Sequence, residues 1–199
     1  MRNPIRVGLA ALTLLAAGCS GPTVVTTPDS ASPASSAAAP APTSTRPSNA
    51  HLANAYDFAA DSGEQTGYYF VSPSGRWACA IIPRLRAGCQ NAQSPSALGI
   101  QAAPDEVPGP DGRPAAPTAV VVDRTGGPHF AAVPSPGFTL KTEQAEKLPF
   151  NRILAVAGFR CNVQEATGIS CLSEASGEGF TFAADSYVPV YTDVPADAP

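Results

Sequence analysis

Apolar and polar residues alternate with a period of two in two segments of the chain, each centred on two cysteines ten residues apart. In the first segment, the apolar side chains share one face of a strand pair if Cys79 stands opposite Cys89. The polar residues then take the other face. The predicted inward set is Trp77, Cys79, Ile81, Ala87 and Cys89, and the predicted outward set is Arg76, Arg86 and Gln90.

The second segment repeats this arrangement around Cys161 and Cys171, with a turn at residues 165–168. Its predicted inward set is Phe159, Cys161, Val163, Ile169 and Cys171, and its predicted outward set is Arg160, Asn162, Gln164 and Ser170. The pattern favours the disulfides Cys79–Cys89 and Cys161–Cys171 over the crossed pairings. Nine intervening residues are too many for the usual spacing of a four-cysteine zinc site, and a redox-active C-x-x-C is missing.

Further strands are indicated by short β-branched and aromatic runs between turn residues. These strands are predicted at 68–71, 76–82, 118–123, 130–133 and 180–182, with a weak edge strand at 187–191. The proline-rich stretch 94–117 predicts a long surface loop. Residues 142–147 predict one or two helical turns, with Thr142 as N-cap and Pro149 ending them.

We therefore expect a mainly β fold: a small disulfide-stapled antiparallel β domain, built from hairpins in a sandwich- or barrel-like arrangement, with at most one short helix. The 22 prolines and 17 glycines agree with a fold rich in turns. The predicted organisation is a signal peptide at 1–18, a lipidated cysteine and Ser/Thr/Ala/Pro-rich tether at 19–50, and the β domain at 51–199.

The signal peptide has a positive start, Arg2 and Arg6, followed by the apolar stretch 7–17, which is too short to cross a bilayer as a helix. The stretch 15–18 directly before Cys19 resembles the lipobox of bacterial lipoproteins, although Ala16 stands where that family usually has Leu or Val. The resemblance implies that Cys19 carries a diacylglycerol and becomes the first residue of the mature protein. The alternative is a soluble secreted protein with an accidental cysteine at the cleavage site.

Cysteine number and charge bear on this alternative. Five cysteines in an exported chain leave one odd thiol, which lipidation of Cys19 would occupy. After removal of the leader, 10 basic and 16 acidic residues remain, a net charge of about −6. This acidity argues against nucleic acid as a partner and against electrostatic adhesion to anionic lipids. We expect attachment to the membrane through the lipid, on its extracytoplasmic face.

From about Tyr69 to Tyr187 the chain resembles a family of small exported proteins and lipoproteins of actinobacteria that share an uncharacterised disulfide-stapled β domain. The matching elements are residues 70–75 followed by Cys79, then 148–150, 159–161, 168–171, 177–180 and Tyr187. Members often carry another cysteine pair in the middle, and this chain has none between Cys89 and Cys161. The resemblance implies the fold and the compartment, and it brings no reaction, cofactor or catalytic residue.

The sequence favours a binding module over an enzyme. Only His51 and His129 are available as catalytic bases, no serine lies in G-x-S-x-G, and Glu143 with Glu146 is explained by the dipole of a first helical turn. We expect neither a cofactor nor a metal. The predicted partner is an envelope protein, a glycan or a lipid; an envelope hydrolase or a lipid or glycan carrier are the alternatives. The candidate binding surface is Trp77, Tyr68, Tyr69, Glu178 and Phe180, with core packing as the competing role of the aromatic residues.

Overall fold

A computed structural model of the chain describes residues 49–62, 66–140 and 145–199. The described residues form one short 3₁₀ helix, Ala55–Phe58, and fourteen strands. The strands are β1 (Ala59–Asp61), β2 (Thr66–Val71), β3 (Trp77–Ile82), β4 (Arg86–Asn91), β5 (Val107–Pro108), β6 (Pro114–Ala115), β7 (Ala119–Asp123), β8 (Pro128–Ala131), β9 (Glu146–Lys147), β10 (Ile153–Val156), β11 (Phe159–Gln164), β12 (Gly168–Ser173), β13 (Gly179–Phe182) and β14 (Tyr187–Val188). The mainly β fold predicted from the sequence is confirmed.

Two sheets make up the body of the fold. The first has the order β1-β2-β3-β4-β7-β8, and β9 adds a short parallel pairing to β2. The second has the order β10-β11-β12-β13-β14 and is antiparallel throughout. Strand β12 packs against β4 and β7, and β11 packs against β4, so the sheets lie face to face.

The core between the sheets contains both predicted disulfides. Cys79 pairs directly with Cys89 and Cys161 with Cys171, with Cα separations of 4.0 and 4.1 Å, and all four residues are fully buried. The inward residues predicted for the two hairpins all belong to this one core cluster. Trp77 meets Phe182 of the opposite sheet edge to face, with ring centroids 4.9 Å apart.

The two sheets are built on one plan. Strands β2-β3-β4-β7-β8 and strands β10-β11-β12-β13-β14 are both five-stranded meanders with a disulfide across their second and third strands. Hairpin residues in the second meander lie 82 positions after their counterparts in the first, so that Cys161 corresponds to Cys79 and Cys171 to Cys89. The correspondence allows the outer faces of the two sheets to be compared residue by residue.

Each outer face is covered by the chain that follows its meander. Residues 132–140, the first strap, lie over the first sheet, where Phe138 packs with Tyr69 and Val121. Residues 190–196, the second strap, lie over the second sheet and contact its outward side chains. The predicted outward residues Gln90, Arg160, Asn162, Gln164 and Ser170 are therefore buried, although they point away from the core.

Several local predictions differ from the structure. Glu146–Lys147 form strand β9 beside Phe70–Val71, so the predicted helix is wrong there; residues 142–144 lie outside the described part of the chain. Pairing with β2 outweighs the helical preference of so short a segment. The predicted edge strand at 187–191 is only Tyr187–Val188, because Pro189 cannot continue the ladder. The loop 94–117 contains the small β5–β6 hairpin.

Candidate functional site

The predicted binding surface lies largely in the interior. Trp77 is 6% exposed and Phe180 is inaccessible in the core, while Tyr69 is 2% exposed beneath the first strap. Tyr68 is partly buried against the core, and Glu178 is exposed in the turn after β12. The five side chains do not form one surface. Strand alternation places Trp77 and Phe180 in the core between the sheets and Tyr69 on the opposite face, beneath the first strap.

The histidines take part in surface contacts. His129 Nδ1 lies 3.1 Å from the Gly127 carbonyl oxygen, and its Nε2 lies 3.8 Å from Asp123 Oδ2. The same carboxylate pairs with Arg86 at 3.1 Å. Among the described residues no serine or threonine hydroxyl bonds to His129, and the His51 ring contacts the Ala196 carbonyl oxygen at 3.4 Å. This geometry places a carboxylate beside His129, and in the described part of the chain no hydroxyl nucleophile bonds to its ring.

Metal-ligating side chains do not cluster in the described part of the chain. The four domain cysteines are joined in disulfides, which excludes them as a four-cysteine zinc centre. Elsewhere in residues 49–62, 66–140 and 145–199, no group of three or more His, Cys, Asp or Glu could hold a metal ion.

The predicted lipid attachment site, Cys19, lies outside the described residues, as do the signal peptide and residues 19–48 of the tether. In the ranges that the structure describes, none of the helical structure has the length and apolarity that crossing a membrane requires.

The outer face of the second sheet carries an unusual density of buried polar side chains. Five of them, which we call the polar trough, come from three adjacent strands and are 0–7% exposed. The trough consists of Arg160, Asn162 and Gln164 on β11, Ser170 on β12 and Thr181 on β13. The matching positions on the first sheet are small or apolar: Ala78, Ala80, Ile82 and Gly88 correspond to Arg160, Asn162, Gln164 and Ser170.

The trough is satisfied largely by the backbone of the second strap. Asn162 Nδ2 donates to the Thr192 carbonyl oxygen at 2.9 Å, and Gln164 Nε2 donates to the carbonyl oxygens of Thr192 and Asp193 at 3.2 and 3.3 Å. The Thr181 hydroxyl donates to the Val190 carbonyl oxygen at 2.8 Å. Three side chains of the sheet thus recognise three consecutive or near-consecutive peptide carbonyls.

Links within the trough hold these donors in position. Gln164 Nε2 donates to Asn162 Oδ1 at 3.0 Å, and the Ser170 and Thr181 hydroxyl oxygens lie 2.8 Å apart. At the far end, Arg160 Nη1 donates to Asn49 Oδ1 at 3.1 Å and lies 3.7 Å from the Glu174 carboxylate. Such a network fixes where its donors point, which is what recognition of a backbone needs.

Tyr191 joins the strap to the trough through its side chain. Its hydroxyl accepts a hydrogen bond from Asn162 Nδ2 at 3.0 Å and donates one to Asp193 Oδ1 at 3.1 Å. Burial raises the pKa of Tyr191 to about 12, and the negative charge of Asp193 acts in the same direction. The phenol is therefore neutral at every physiological pH, and it can keep donating to the carboxylate.

An open groove of about 610 Å³ lies beside the start of the second strap. It is lined by the turn between β11 and β12, by the β13–β14 hairpin and by Val190 and Thr192 of the strap. Val188 and Val190 are 50% and 60% exposed at this groove. Exposed apolar side chains beside a polar, hydrogen-bonding face are the usual composition of a binding site.

Sequence reasoning identified the outward set of β11 and β12 but not what covers it. The alternation assigns Asn162, Gln164 and Ser170 to one face from local order alone. Nothing local connects that face with residues 190–196, which are 28–30 positions away from their partners. A cluster of amides and hydroxyls on one strand face, in place of charged residues, is the signal that could have indicated a covered polar surface.

No protein-family model matches this chain, and no curated protein or solved structure matches it.

Proposed function

We propose that this protein is a lipid-anchored protein on the extracytoplasmic face of the cell membrane whose β-sandwich binds a partner in the cell envelope. The observation that carries the proposal is the use of the cysteines. Four of the five form buried disulfides, which is chemistry of an exported protein, and the fifth is Cys19 after a lipobox-like stretch. Two or more acyl chains on one cysteine hold a protein stably at a membrane.

Binding is favoured over catalysis by the character of the surface. The groove beside the second strap exposes Val188 and Val190, while the donors of the neighbouring polar trough are covered by the strap. By contrast, His129 lies beside the Asp123 carboxylate and, within the described residues, no hydroxyl bonds to its ring. The open groove offers a partner a concave, partly apolar place to bind.

The anchoring is tested by mass spectrometry of the mature protein from a bacterial host that processes lipoproteins, grown with a clickable fatty acid. We expect the N-terminal peptide to begin at Cys19 with a diacylglyceryl mass, and the protein to carry the label. The matched variant Cys19→Ala should carry no label and keep both domain disulfides. An unmodified Cys19 in a correctly exported protein would contradict the proposal.

A further inference from the structure

We propose that the polar trough is a binding site for an extended polypeptide segment of an envelope partner, and that the second strap occupies this site until such a segment replaces it. The inference rests on the binding role proposed above and names the class of ligand.

Several contacts between trough and strap are of a kind that any extended peptide can make, whereas the bonds to the Tyr191 and Thr192 hydroxyls depend on those two side chains. Asn162, Gln164 and Thr181 donate to main-chain carbonyl oxygens of the strap. A backbone carbonyl is present at every residue, so these bonds do not depend on the side chains of the occupant. Recognition of a peptide backbone by positioned donors is a recurrent mode of peptide binding.

The two straps differ in what holds them. The Phe138 ring of the first strap lies directly on Gly88, where a Cβ would collide with it, and Leu140 packs beside the same cluster. In the second meander the position of Gly88 is taken by Ser170, whose hydroxyl faces Thr181 instead of an aromatic ring. The first strap is therefore held by apolar packing together with the hydrogen bond from the Phe138 N–H to Gln90 Oε1 at 2.7 Å, whereas the second is held mainly by hydrogen bonds.

Hydrogen bonds make the second strap exchangeable. The strap buries Val194, which is 2% exposed, and part of the Tyr191 side chain, whereas Val190 is 60% exposed. Each hydrogen bond contributes little net stability, because the same donor can bond to water or to another chain. A competing peptide that satisfies Asn162 and Gln164 equally well replaces the strap without leaving a buried donor unpaired.

The groove beside the strap supplies a place for first contact. It is lined by Thr181 of the trough, by Thr192 of the strap and by the exposed Val188 and Val190. An incoming segment can cover the two valines before the strap leaves, and then continue along the trough. The preferred ligand is accordingly an extended segment with a small apolar residue ahead of its carbonyl-presenting stretch.

The test uses the full chain with Cys19→Ala and a fluorescent synthetic peptide with the sequence of residues 188–199 as the probe. In the parent chain the strap competes, so we expect weak binding. Val194→Asp places a charge at the buried contact of the strap, and we expect the peptide to bind at least about tenfold more tightly, because the site is no longer occupied. Adding Asn162→Ala and Gln164→Ala should remove that gain.

Tyr56→Asp serves as the control, since Tyr56 is 85% exposed on the 3₁₀ helix. If circular dichroism shows that Val194→Asp does not fold, Val194→Ala takes its place with a smaller gain in affinity. Failure of the folded strap variant to bind the peptide overturns the inference, and so does binding that Asn162→Ala and Gln164→Ala leave unchanged. Finding that Cys19 carries no lipid would contradict only the proposed membrane anchoring. It would not affect this titration, because the titrated chain carries Cys19→Ala.

Discussion

Asn162 is the residue at which the sheet and the second strap are joined most closely. Its side chain is fully buried, and its Nδ2 serves both the Tyr191 hydroxyl and the Thr192 carbonyl oxygen while its Oδ1 accepts from Gln164. At the corresponding place in the first sheet stands Ala80, which has nothing to donate. A buried amide with every partner in place contributes order as well as stability.

Asn162→Ala should lower the free energy of unfolding by about 1–3 kcal/mol, because it leaves the partner groups of the strap without their donor. Urea denaturation measures the change. Tyr56→Ala, at a side chain that is 85% exposed, is the control and should stay within about 0.5 kcal/mol of the parent. An unchanged Asn162→Ala protein would show that the trough does not hold the strap.

Ionisation of Tyr191 makes the stability of the folded protein depend on pH. Its pKa is raised from 10.0 to about 12, so the folded protein keeps the proton that the unfolded chain loses first. The stability that this neutral phenol contributes is complete below pH 10 and is lost between about pH 10 and 12. Denaturation curves across that range should fall more steeply for the parent than for Tyr191→Phe. An equal loss of stability with pH in the parent and in Tyr191→Phe would show that ionisation of the Tyr191 phenol does not destabilise the fold.

At the scale of elements, the hairpins were predictable from the sequence and the straps were not. Cys79 and Cys161 lie in strands whose period-two pattern is local, and this pattern gave the register and the disulfides. The position of β9 against Phe70–Val71, like that of the second strap over Asn162, depends on contacts between residues far apart in the chain. Local preference even pointed the wrong way for Glu146–Lys147, where strand pairing outweighs helical propensity.

Gly88 in strand β4 leaves room for the Phe138 ring of the first strap. A methyl group there would meet the Phe138 ring, so Gly88→Ala should cost about 1–3 kcal/mol through overpacking beneath the first strap. Gly127 is the matched control, because a Cβ at that position meets no atom within 4 Å, and Gly127→Ala should change stability by less than about 0.5 kcal/mol. Thermal unfolding compares the two. Equal melting temperatures of the Gly88→Ala and Gly127→Ala proteins would show that the first strap is not packed tightly on Gly88.

At the scale of the whole molecule, one meander plan is used twice with different outer faces. The first sheet carries Ala80 and Gly88 and is covered mainly by the apolar packing of its strap, with one bond from the Phe138 N–H to Gln90. The second carries Asn162 and Ser170 and is covered mainly through hydrogen bonds. The two sheets share one core that contains both disulfides, so the difference lies on the outer faces. This difference between the two outer faces is what the proposed exchange of the second strap requires.

The most direct measurement of this account is an NMR titration of the full chain with Cys19→Ala and Val194→Asp. The side-chain amide signals of Asn162 and Gln164 report whether the trough is occupied. We predict that the peptide of residues 188–199 returns both signals to their positions in the chain that retains Val194, while the Gln90 amide beneath the first strap does not move. Signals of Asn162 and Gln164 that stay unchanged at saturating peptide, or changes that map to another face, would contradict the account.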